Sequence, residues 1–205
     1  MTLGGIILCG GQSARMGQPK AWLPFGGELL LPRVLRLLRT VAHPVLIVAA
    51  PGQSLPPLPD ATEVVWDTVP QEGPLRGLAT GLAALLGRCN AVFVTACDSP
   101  FLQPAFVRKL GETLDDWDAV IPMSEGQPHP LTACYRITTL PHALALLTQG
   151  KRRMHDFLAR LSTRQVTAES WHDVDPLGLS LSNVNTPEEY ERATRLLDTQ
   201  PPEAG

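Results

Sequence analysis

The sequence predicts an α/β protein of three layers, in which a mostly parallel, Rossmann-like sheet lies between two layers of helices. Two observations lead to this class. Short apolar runs alternate with helix-length stretches whose leucines recur at helical spacing, and several of these runs end on glycine or aspartate. Because parallel strands need long crossover connections, the alternation indicates βαβ units. Ligands of such sheets bind beyond the carboxyl ends of the strands, so functional residues are expected there.

The first half of the chain contains four predicted strands and two predicted helices. Continuous apolar or β-branched runs predict strands at Ile6–Cys9, Val45–Ala50, Glu63–Trp66 and Ala91–Cys97. Amphipathic spacing predicts helices over Leu29–Val41 and Pro74–Leu86. The proline-rich segment Pro51–Pro59 is expected to be irregular.

The second half continues the alternation. Its predicted strands are Ala119–Met123 and Pro130–Tyr135, and its predicted helices are Pro104–Leu114 and Leu140–Gln149. A last helix is expected to begin at Pro187, with Thr186 as its cap. Residues 1–198 are therefore expected to form a single domain, and the residues 199–205 a flexible tail.

Composition and charge argue against several classes of function. Hydrophobic residues make up 44% of the chain and charged residues 18%, and the net charge of −3 gives no basic field for coating nucleic acid. No apolar stretch reaches the roughly 18 residues of a membrane span, and the N-terminus lacks a signal peptide's basic start. The four cysteines have no CxxC spacing and are predicted to be reduced, buried thiols. A cytoplasmic protein is predicted.

Glycines and two cations stand together in the loop after the first predicted strand, which reads LCGGQSARMGQPK from Leu8 to Lys20. Glycine lets the backbone approach a ligand and present its N–H groups, while Arg15 and Lys20 can neutralise phosphates. The spacing fits neither the dinucleotide-binding motif nor the Walker motif. The alternative interpretation is an ordinary turn with two solvated charges, against which the combination with Ser13 and Gly17 argues.

Oxygen-bearing side chains follow at two further places. Asp98 closes the most apolar predicted strand, and Mg²⁺ is a hard ion that takes one or two protein carboxylates. The alternative role of Asp98 is to cap the following turn. Asn185 lies in the segment SNVNTPEE and can bind a metal or a phosphate through its amide, or cap the last helix.

The loop motif L-x-G-G-x-S-x-R-M-G-x-x-K resembles the nucleotide-binding motif of the molybdenum cofactor nucleotidyltransferases and, more loosely, that of sugar nucleotidyltransferases. The segments CDSP, GPLRG after Asp67, and NVNTPE resemble other motifs of the same family. The resemblance implies a nucleotidyltransferase fold, catalytic roles for Arg15, Lys20 and Asp98, and Asp98 as the ligand of a Mg²⁺ cofactor. It implies nucleotide binding by Leu8, Cys9, Gly10, Gly11, Ser13, Lys20, Asp67, Gly73, Asp98, Asn183 and Asn185.

A reaction is implied as well. In it, GMP passes from GTP to the terminal phosphate of molybdenum-molybdopterin, with release of pyrophosphate and formation of the guanine dinucleotide cofactor. The glycine at Gly10 favours GTP, because the cytidylyltransferases of this family carry alanine there. The implied partners are GTP, the molybdopterin acceptor and, transiently, molybdoenzymes or their chaperones, with no nucleic acid and no membrane. Alternatives are cytidylyl transfer to the same cofactor, sugar-phosphate nucleotidyl transfer, and a non-catalytic nucleotide-binding module.

The resemblance also divides the domain into an N-terminal, nucleotide-binding half and a C-terminal, acceptor-binding half. The densest basic cluster, Lys151–Arg153, lies in the second half and is expected to meet the acceptor, unless it is merely a solvated helix start. There is one departure from the family pattern. Some members end the second strand with an asparagine that contacts the nucleotide, whereas this chain has Ala49 and Ala50.

Overall fold

The computed structural model describes residues 2–10, 16–67, 69 and 72–199. Their main sheet has eight strands, which are β1 Leu3–Leu8, β4 Val45–Ala49, β5 Glu63–Trp66, β6 Ala91–Ala96, β7 Ala119–Ser124, β8 Gln127–Pro128, β9 Ala133–Arg136 and β10 Thr163–Val166. A separate hairpin consists of β2 Pro24–Phe25 and β3 Glu28–Leu29. The α-helices of the described residues are α1 Leu30–Arg39, α2 Pro74–Leu85, α3 Pro104–Thr113, α4 Leu140–Thr148, α5 Met154–Leu158 and α6 Pro187–Thr199.

The main sheet is mostly parallel, as predicted. Its strand order is β10-β7-β9-β6-β1-β4-β5, and β8 pairs with β7. The pairs β6-β1, β1-β4, β4-β5 and β7-β10 are parallel. β9 runs antiparallel between β6 and β7. The chain order reverses around β1, which places a topological switch point at the carboxyl ends of β1 and its neighbours.

Helices cover both faces of the sheet and give it three layers. On one face, Ile7 and Phe93 of the sheet pack in a common core with α1 and α3. On the other face, Ile6 and Val94 pack with α2, α4 and α5. Side chains at consecutive positions of β1, such as Ile6 and Ile7, are both fully buried. Burial on both faces explains why these strands are continuous apolar runs.

A smaller third core joins the hairpin to the C-terminal helix. Phe25 and Leu30 pack there with Phe101, with Val184, which precedes α6, and with Ala193 of α6. This cluster fixes the chain that follows the glycine-rich loop against the segment that precedes α6. It is the packing reason why two sequence-distant motifs approach each other.

The differences from the predicted elements lie in short or exposed segments. β10 reads Thr-Arg-Gln-Val and lies at the sheet edge with two exposed side chains, so it shows no apolar run. α5 has only five residues, and β2, β3 and β8 have two each. The predicted strand Pro130–Tyr135 begins at Ala133, because Thr132 N donates to the His129 carbonyl in a turn. The last helix includes Thr199, and residues 200–205 lie outside the described part.

The cysteines and the helices bear on two expectations from composition. Cys9, Cys89, Cys97 and Cys134 are free and buried, as predicted. No helix in the described ranges is both long enough and apolar enough to cross a membrane.

Helix α2 packs against β1 so closely that only glycine fits at its contact point. A Cβ at Gly81 would lie 2.7 to 3.0 Å from three side-chain carbons of Ile6, which is fully buried. A Cβ at Gly111 of α3 would meet Leu3 at 3.2 Å, through the far end of a half-buried side chain.

We expect Gly81→Ala to lower the free energy of unfolding by about 1–2 kcal/mol, because overpacking outweighs the gain of about 1 kcal/mol in helix propensity. Gly111→Ala is the matched control, since the same propensity gain applies and Leu3 can move aside. Urea unfolding of both variants measures the difference. Equal effects at the two positions would show that the contact with Ile6 does not limit the packing of α2.

Candidate active site

A cavity of about 1150 Å³ opens at the carboxyl edge of the sheet, where β6, β1, β4 and β5 end. Its walls include seven of the predicted site residues, namely Leu8, Gly10, Asp67, Gly73, Asp98, Asn183 and Asn185. The order of the strands spreads these residues along the cavity, with Asp98 after β6 at one side and Asp67 after β5 at the other. The sheet therefore gathers most of the predicted residues into one concave site.

A lysine, a carboxylate and a carboxamide meet at the β6 side of this cavity. Lys20 Nζ donates hydrogen bonds to Asp98 Oδ2 at 2.6 Å and to Asn185 Oδ1 at 2.7 Å. The side chains of Lys20 and Asp98 are only 17% and 10% exposed, so solvent screens this ion pair weakly. The fold thus joins residues from three sequence motifs through a single ammonium group.

Asp98 also presents an oxygen that has no partner among the described residues. Its Oδ1 is buried and accepts no hydrogen bond from the described residues. An unpaired, buried carboxylate oxygen is costly, and it is the kind of ligand that a hard cation takes. Within the described ranges no three His, Cys, Asp or Glu side chains form a metal cluster. A donor set of Asp98 and Asn185 oxygens fits an ion that completes its shell with phosphates and water.

The segment before α6 is bonded directly to the turn that carries Asp98. Val184 N donates to the Asp98 carbonyl at 2.9 Å. The Ser99 hydroxyl donates to Asn183 Oδ1 at 2.8 Å. These two bonds fix Asn183 at the cavity wall and explain how its segment is held against the end of β6.

Two further carboxylates hold this segment in place, and neither was among the predicted site residues. Glu189 accepts from Asn185 N at 2.7 Å, and Asp175 accepts from the backbone N–H groups of Leu179 and Ser180, each at 2.9 Å. Asp175 is 3% exposed. The spacing T-x-x-E at a helix start is a known capping signal and could have indicated Glu189, whereas no local pattern marks Asp175.

A buried arginine supports the turn after Asp98 from the other side. Arg33 Nε donates to the Pro100 carbonyl at 2.7 Å, and its Nη1 lies 3.1 Å from Glu28 Oε1. Its guanidinium also lies over the ring of Phe25, 5.4 Å from the centroid. Arg33 occurs on an amphipathic helix among other arginines, so the sequence gave no reason to single it out.

Asp67 faces helix α2 across the far side of the cavity. Thr80 donates its hydroxyl to Asp67 Oδ1 at 2.5 Å, and a Cβ at Gly77 would lie 3.7 Å from Oδ2. Gly73, the residue before α2, has φ 79°, a backbone conformation that favours glycine. The predicted motif after β5 therefore forms a helix start that presents a carboxylate and a glycine to the cavity.

The basic cluster borders the cavity through Arg152. Arg152 Nη2 lies 2.7 Å from Glu72 Oε1, and Arg76 also bonds to this carboxylate. The two guanidinium groups hold the pKa of Glu72 below its usual value, with the hydrogen bond from Arg152 as the largest cause. Because Glu72 and Gly73 line the cavity, Arg152 lies at the border of the predicted nucleotide site rather than apart from it.

The glycine-rich loop is described at its two ends. Leu8, the last residue of β1, and Gly10 line the cavity, and Lys20 begins a 3-10 turn that ends at Trp22. The predicted site residues Gly11, Ser13 and Arg15 lie outside the described residues, so their assignments stay predictions. Cys9 directs its thiol into the core. There its hydrogen bond to Cys97 and burial raise the pKa of the Cys97 thiol.

Comparison with known proteins places this arrangement in a family. Residues 5–166 match the MobA-like NTP transferase domain. A protein of Chloroflexus aggregans named probable molybdenum cofactor guanylyltransferase is 34% identical, over 97% of each chain. A protein of the same name from Carboxydothermus hydrogenoformans is 32% identical, over 93% of this chain and 94% of its own. The chain belongs to the MobA-like NTP transferase family.

Solved structures share the fold of this MobA-like NTP transferase. Molybdopterin-guanine dinucleotide biosynthesis protein A from Archaeoglobus fulgidus superposes with a TM-score of 0.78 at 24% identity, covering 98% of this chain and all of its own. The 2-C-methyl-D-erythritol 4-phosphate cytidylyltransferase from Thermus thermophilus gives a TM-score of 0.71 at 17% identity, covering 97% and 100%. The predicted nucleotidyltransferase fold and enzyme class are thereby confirmed. Transferases of this kind usually use a divalent metal.

Lys20 and Asp98 depend on each other in the nucleotide-free protein. We expect Lys20→Met to lower the free energy of unfolding by about 1–3 kcal/mol, because it leaves a mostly buried carboxylate without its cation. The same substitution should lower the free energy of unfolding clearly less in an Asp98→Asn background, where no carboxylate charge is left unpaired. Urea unfolding in the presence of a chelator measures this double-mutant cycle.

The control cycle uses Lys109 and Asp173, an ion pair of 3.1 Å whose side chains are 38% and 62% exposed. Solvent screens that pair, so its coupling should be near zero. If the two substitutions at Lys20 and Asp98 change the free energy of unfolding additively, the electrostatic coupling between these side chains is contradicted.

Proposed function

We propose that this MobA-like transferase moves GMP from GTP to the terminal phosphate of molybdenum-molybdopterin, releasing pyrophosphate and forming the guanine dinucleotide cofactor. The observation that carries the proposal is the Lys20–Asp98–Asn185 cluster at the switch point of the sheet. Curated relatives named probable molybdenum cofactor guanylyltransferase, at 32% and 34% identity, support the choice of substrates. The proposal treats residues 1–198 as one domain and the protein as cytoplasmic.

The acceptor needs no general base from the protein. A phosphate monoester has its second pKa near 6, so the terminal phosphate of molybdopterin is mostly dianionic at neutral pH. One of its oxygens attacks the α-phosphorus of GTP, and the bond from that phosphorus to the bridging oxygen of pyrophosphate breaks. Catalysis then depends on holding two anions together and neutralising their charge.

Lys20 has the position to neutralise the triphosphate. Its ammonium lies between Asp98 and Asn185 at the cavity, and the glycine-rich segment ahead of it continues directly from β1. Arg15 is proposed to assist as a second cation. The triphosphate is therefore proposed to lie at the β6 side of the cavity.

The oxygens of Asp98 and Asn185 are proposed to hold Mg²⁺. The buried Asp98 Oδ1 and the amide oxygen of Asn185 suit a hard, oxygen-seeking ion. Bound there, Mg²⁺ would supply charge neutralisation at the phosphates. Val184 N donates to the Asp98 carbonyl, and the Glu189 carboxylate accepts from Asn185 N. These two bonds would hold both ligands in place.

The nucleoside is proposed to extend from the phosphates across β1 toward β4 and β5. Leu8, Cys9, Gly10, Gly11 and Ser13 contribute the first strand end and its loop. Asp67 and Gly73 form the opposite wall, and Asn183 lines the β6 side. Molybdopterin approaches from the C-terminal half, where Arg152 borders the cavity through Glu72. Molybdoenzymes or their chaperones are proposed as transient partners at delivery.

The choice of GTP is the first testable consequence. We expect the purified protein with molybdopterin and Mg²⁺ to release pyrophosphate fastest with GTP, when the four NTPs are compared at equal concentration. Gly10→Ala should lower the rate with GTP by about tenfold, because the added methyl group narrows a site built to bind its base.

The Gly10 variant should fold normally, since its Cβ would meet Ala50 no closer than 3.6 Å, an ordinary contact. Gly111→Ala, in α3 and outside the cavity lining, controls for the general effect of replacing a glycine, since neither Gly10 nor Gly111 has a positive φ. A wild-type preference for CTP would contradict guanylyl transfer, and binding of GTP without any release of pyrophosphate would point to a non-catalytic module.

A second consequence concerns the metal. We expect Asp98→Asn to reduce the rate of pyrophosphate release by about 100-fold or more, because the amide keeps the shape of the carboxylate without its charge. Binding of Mn²⁺ in the presence of GTP, followed by electron paramagnetic resonance, should weaken in parallel. Asp116→Asn, at an exposed acidic position, serves as control. Normal Mn²⁺ binding by Asp98→Asn would exclude Asp98 as the ligand.

A further inference from the structure

The ladder between β1 and β4 is interrupted at the cavity by a side chain. Parallel pairing runs in register from Gly5 with Val45 to Leu8 with Val48, and Cys9 N still donates to the Val48 carbonyl at 2.8 Å. The next bond of a regular parallel ladder would join Ala50 N to the Cys9 carbonyl. Neither group makes that bond, because the carboxamide of Gln53 lies between them.

Gln53 replaces one direct hydrogen bond by two. Ala50 N donates to Gln53 Oε1 at 3.0 Å, and Gln53 Nε2 donates to the Cys9 carbonyl at 2.8 Å. Gln53 N also donates to the Ala50 carbonyl at 3.1 Å, which closes a tight turn at Ala50–Gln53. The carboxamide thereby ends the ladder. It also holds the Cys9–Gly10 peptide, which follows β1, in one orientation.

This side chain lies on the β4 side of the cavity, away from Lys20 and Asp98. β1 separates β4 from β6, so the strand ends that carry Gln53 and Asp98 are about 10 Å apart at the usual strand spacing. Leu8, Val48 and Pro51 form an apolar wall here, and Gln53 adds a polar group to it. An apolar wall with a few placed polar groups is the usual surface for a flat, hydrogen-bonding ligand such as a nucleobase.

The loop that carries Gln53 is held independently. Trp22 Nε1 donates to the Ser54 carbonyl at 3.1 Å, which ties the residue after Gln53 to the 3-10 turn that begins at Lys20. The carboxamide is therefore presented from a loop fixed on both sides, and its placement does not depend on the ligand. Preorganised polar groups discriminate best between ligands, because a wrong partner leaves them unpaired.

We propose that Gln53 determines the base selectivity of this transferase, by fixing the Cys9–Gly10 peptide against which the nucleobase binds. This inference rests on the proposed function, since it takes a nucleoside triphosphate as the ligand of the cavity. Removal of the carboxamide leaves the Cys9 carbonyl and the Ala50 N–H without their partners. Both strand ends can then relax, and the base end of the cavity loses its defined shape.

The test separates base recognition from phosphate recognition. Dissociation constants are measured by calorimetry for GTP, CTP and inorganic tripolyphosphate, each with Mg²⁺, for the wild type and for Gln53→Leu and Gln53→Glu. The glutamate variant can still accept from Ala50 N but cannot donate to the Cys9 carbonyl. Gln149→Leu, at an exposed site beyond α4, is the matched control.

We expect both Gln53 variants to weaken GTP binding and to lower the preference for GTP over CTP by about tenfold, with tripolyphosphate affinity changed by less than about twofold. The inference is overturned if the GTP-to-CTP ratio stays at the wild-type value, or if tripolyphosphate affinity falls together with that of GTP. The proposed function is judged separately from the wild type alone. A wild type that binds CTP better contradicts guanylyl transfer, whereas loss of that preference in the variants would still support the role of Gln53.

Discussion

The parallel pairing of β1 with β4 on one side and with β6 on the other is the constraint on which the site depends. It fixes the ends of three strands at one edge of the sheet, so the residues that follow them approach within two strand spacings. Cys9 N still bonds to Val48 and Cys97 N to Leu8, one residue beyond the strands. A shift of one residue in β1 would exchange Ile6 and Ile7 between the two cores, so packing on both faces protects this register.

On this edge, Lys20 and Asp98 form a charge pair that suits the protein before its substrates arrive. Asp98 is nearly buried, and the ammonium of Lys20 at 2.6 Å offsets part of the cost of burying its carboxylate. In the proposed function, a metal at Asp98 and a triphosphate near Lys20 would offer each residue a stronger partner of opposite charge. The pair therefore holds both side chains in place, and in the proposed function the binding of substrates would exchange one set of ionic contacts for another.

The sequence predicts those parts of the structure that depend on residues close together in the chain. Strands buried on both faces are continuous apolar runs, and the motifs around Lys20 and Asp98 combine residue types that phosphates and hard ions require. Gln53 and Arg33 could not be found in this way, since each bonds to a carbonyl that is distant in sequence, that of Cys9 or of Pro100. Asp175 bonds to N–H groups four and five residues further along the chain, but no known motif marks it. The exposed edge strand β10 was missed for a related reason, because it has little apolar surface to bury.

The two ends of the cavity share one short segment, the 3-10 turn from Lys20 to Trp22. Lys20 bonds to Asp98 at the end proposed for the phosphates, and Trp22 bonds to the loop that carries Gln53. Between them Ala21 is 1% exposed, as is Leu23 beyond the turn, so the backbone of this segment is anchored in the core. An exchange of partners at Lys20 is therefore expected to proceed by rotation of its long side chain. Rotation would leave the contact of Trp22 with Ser54 intact, so charge could rearrange at one end while the end proposed to bind the base keeps its shape.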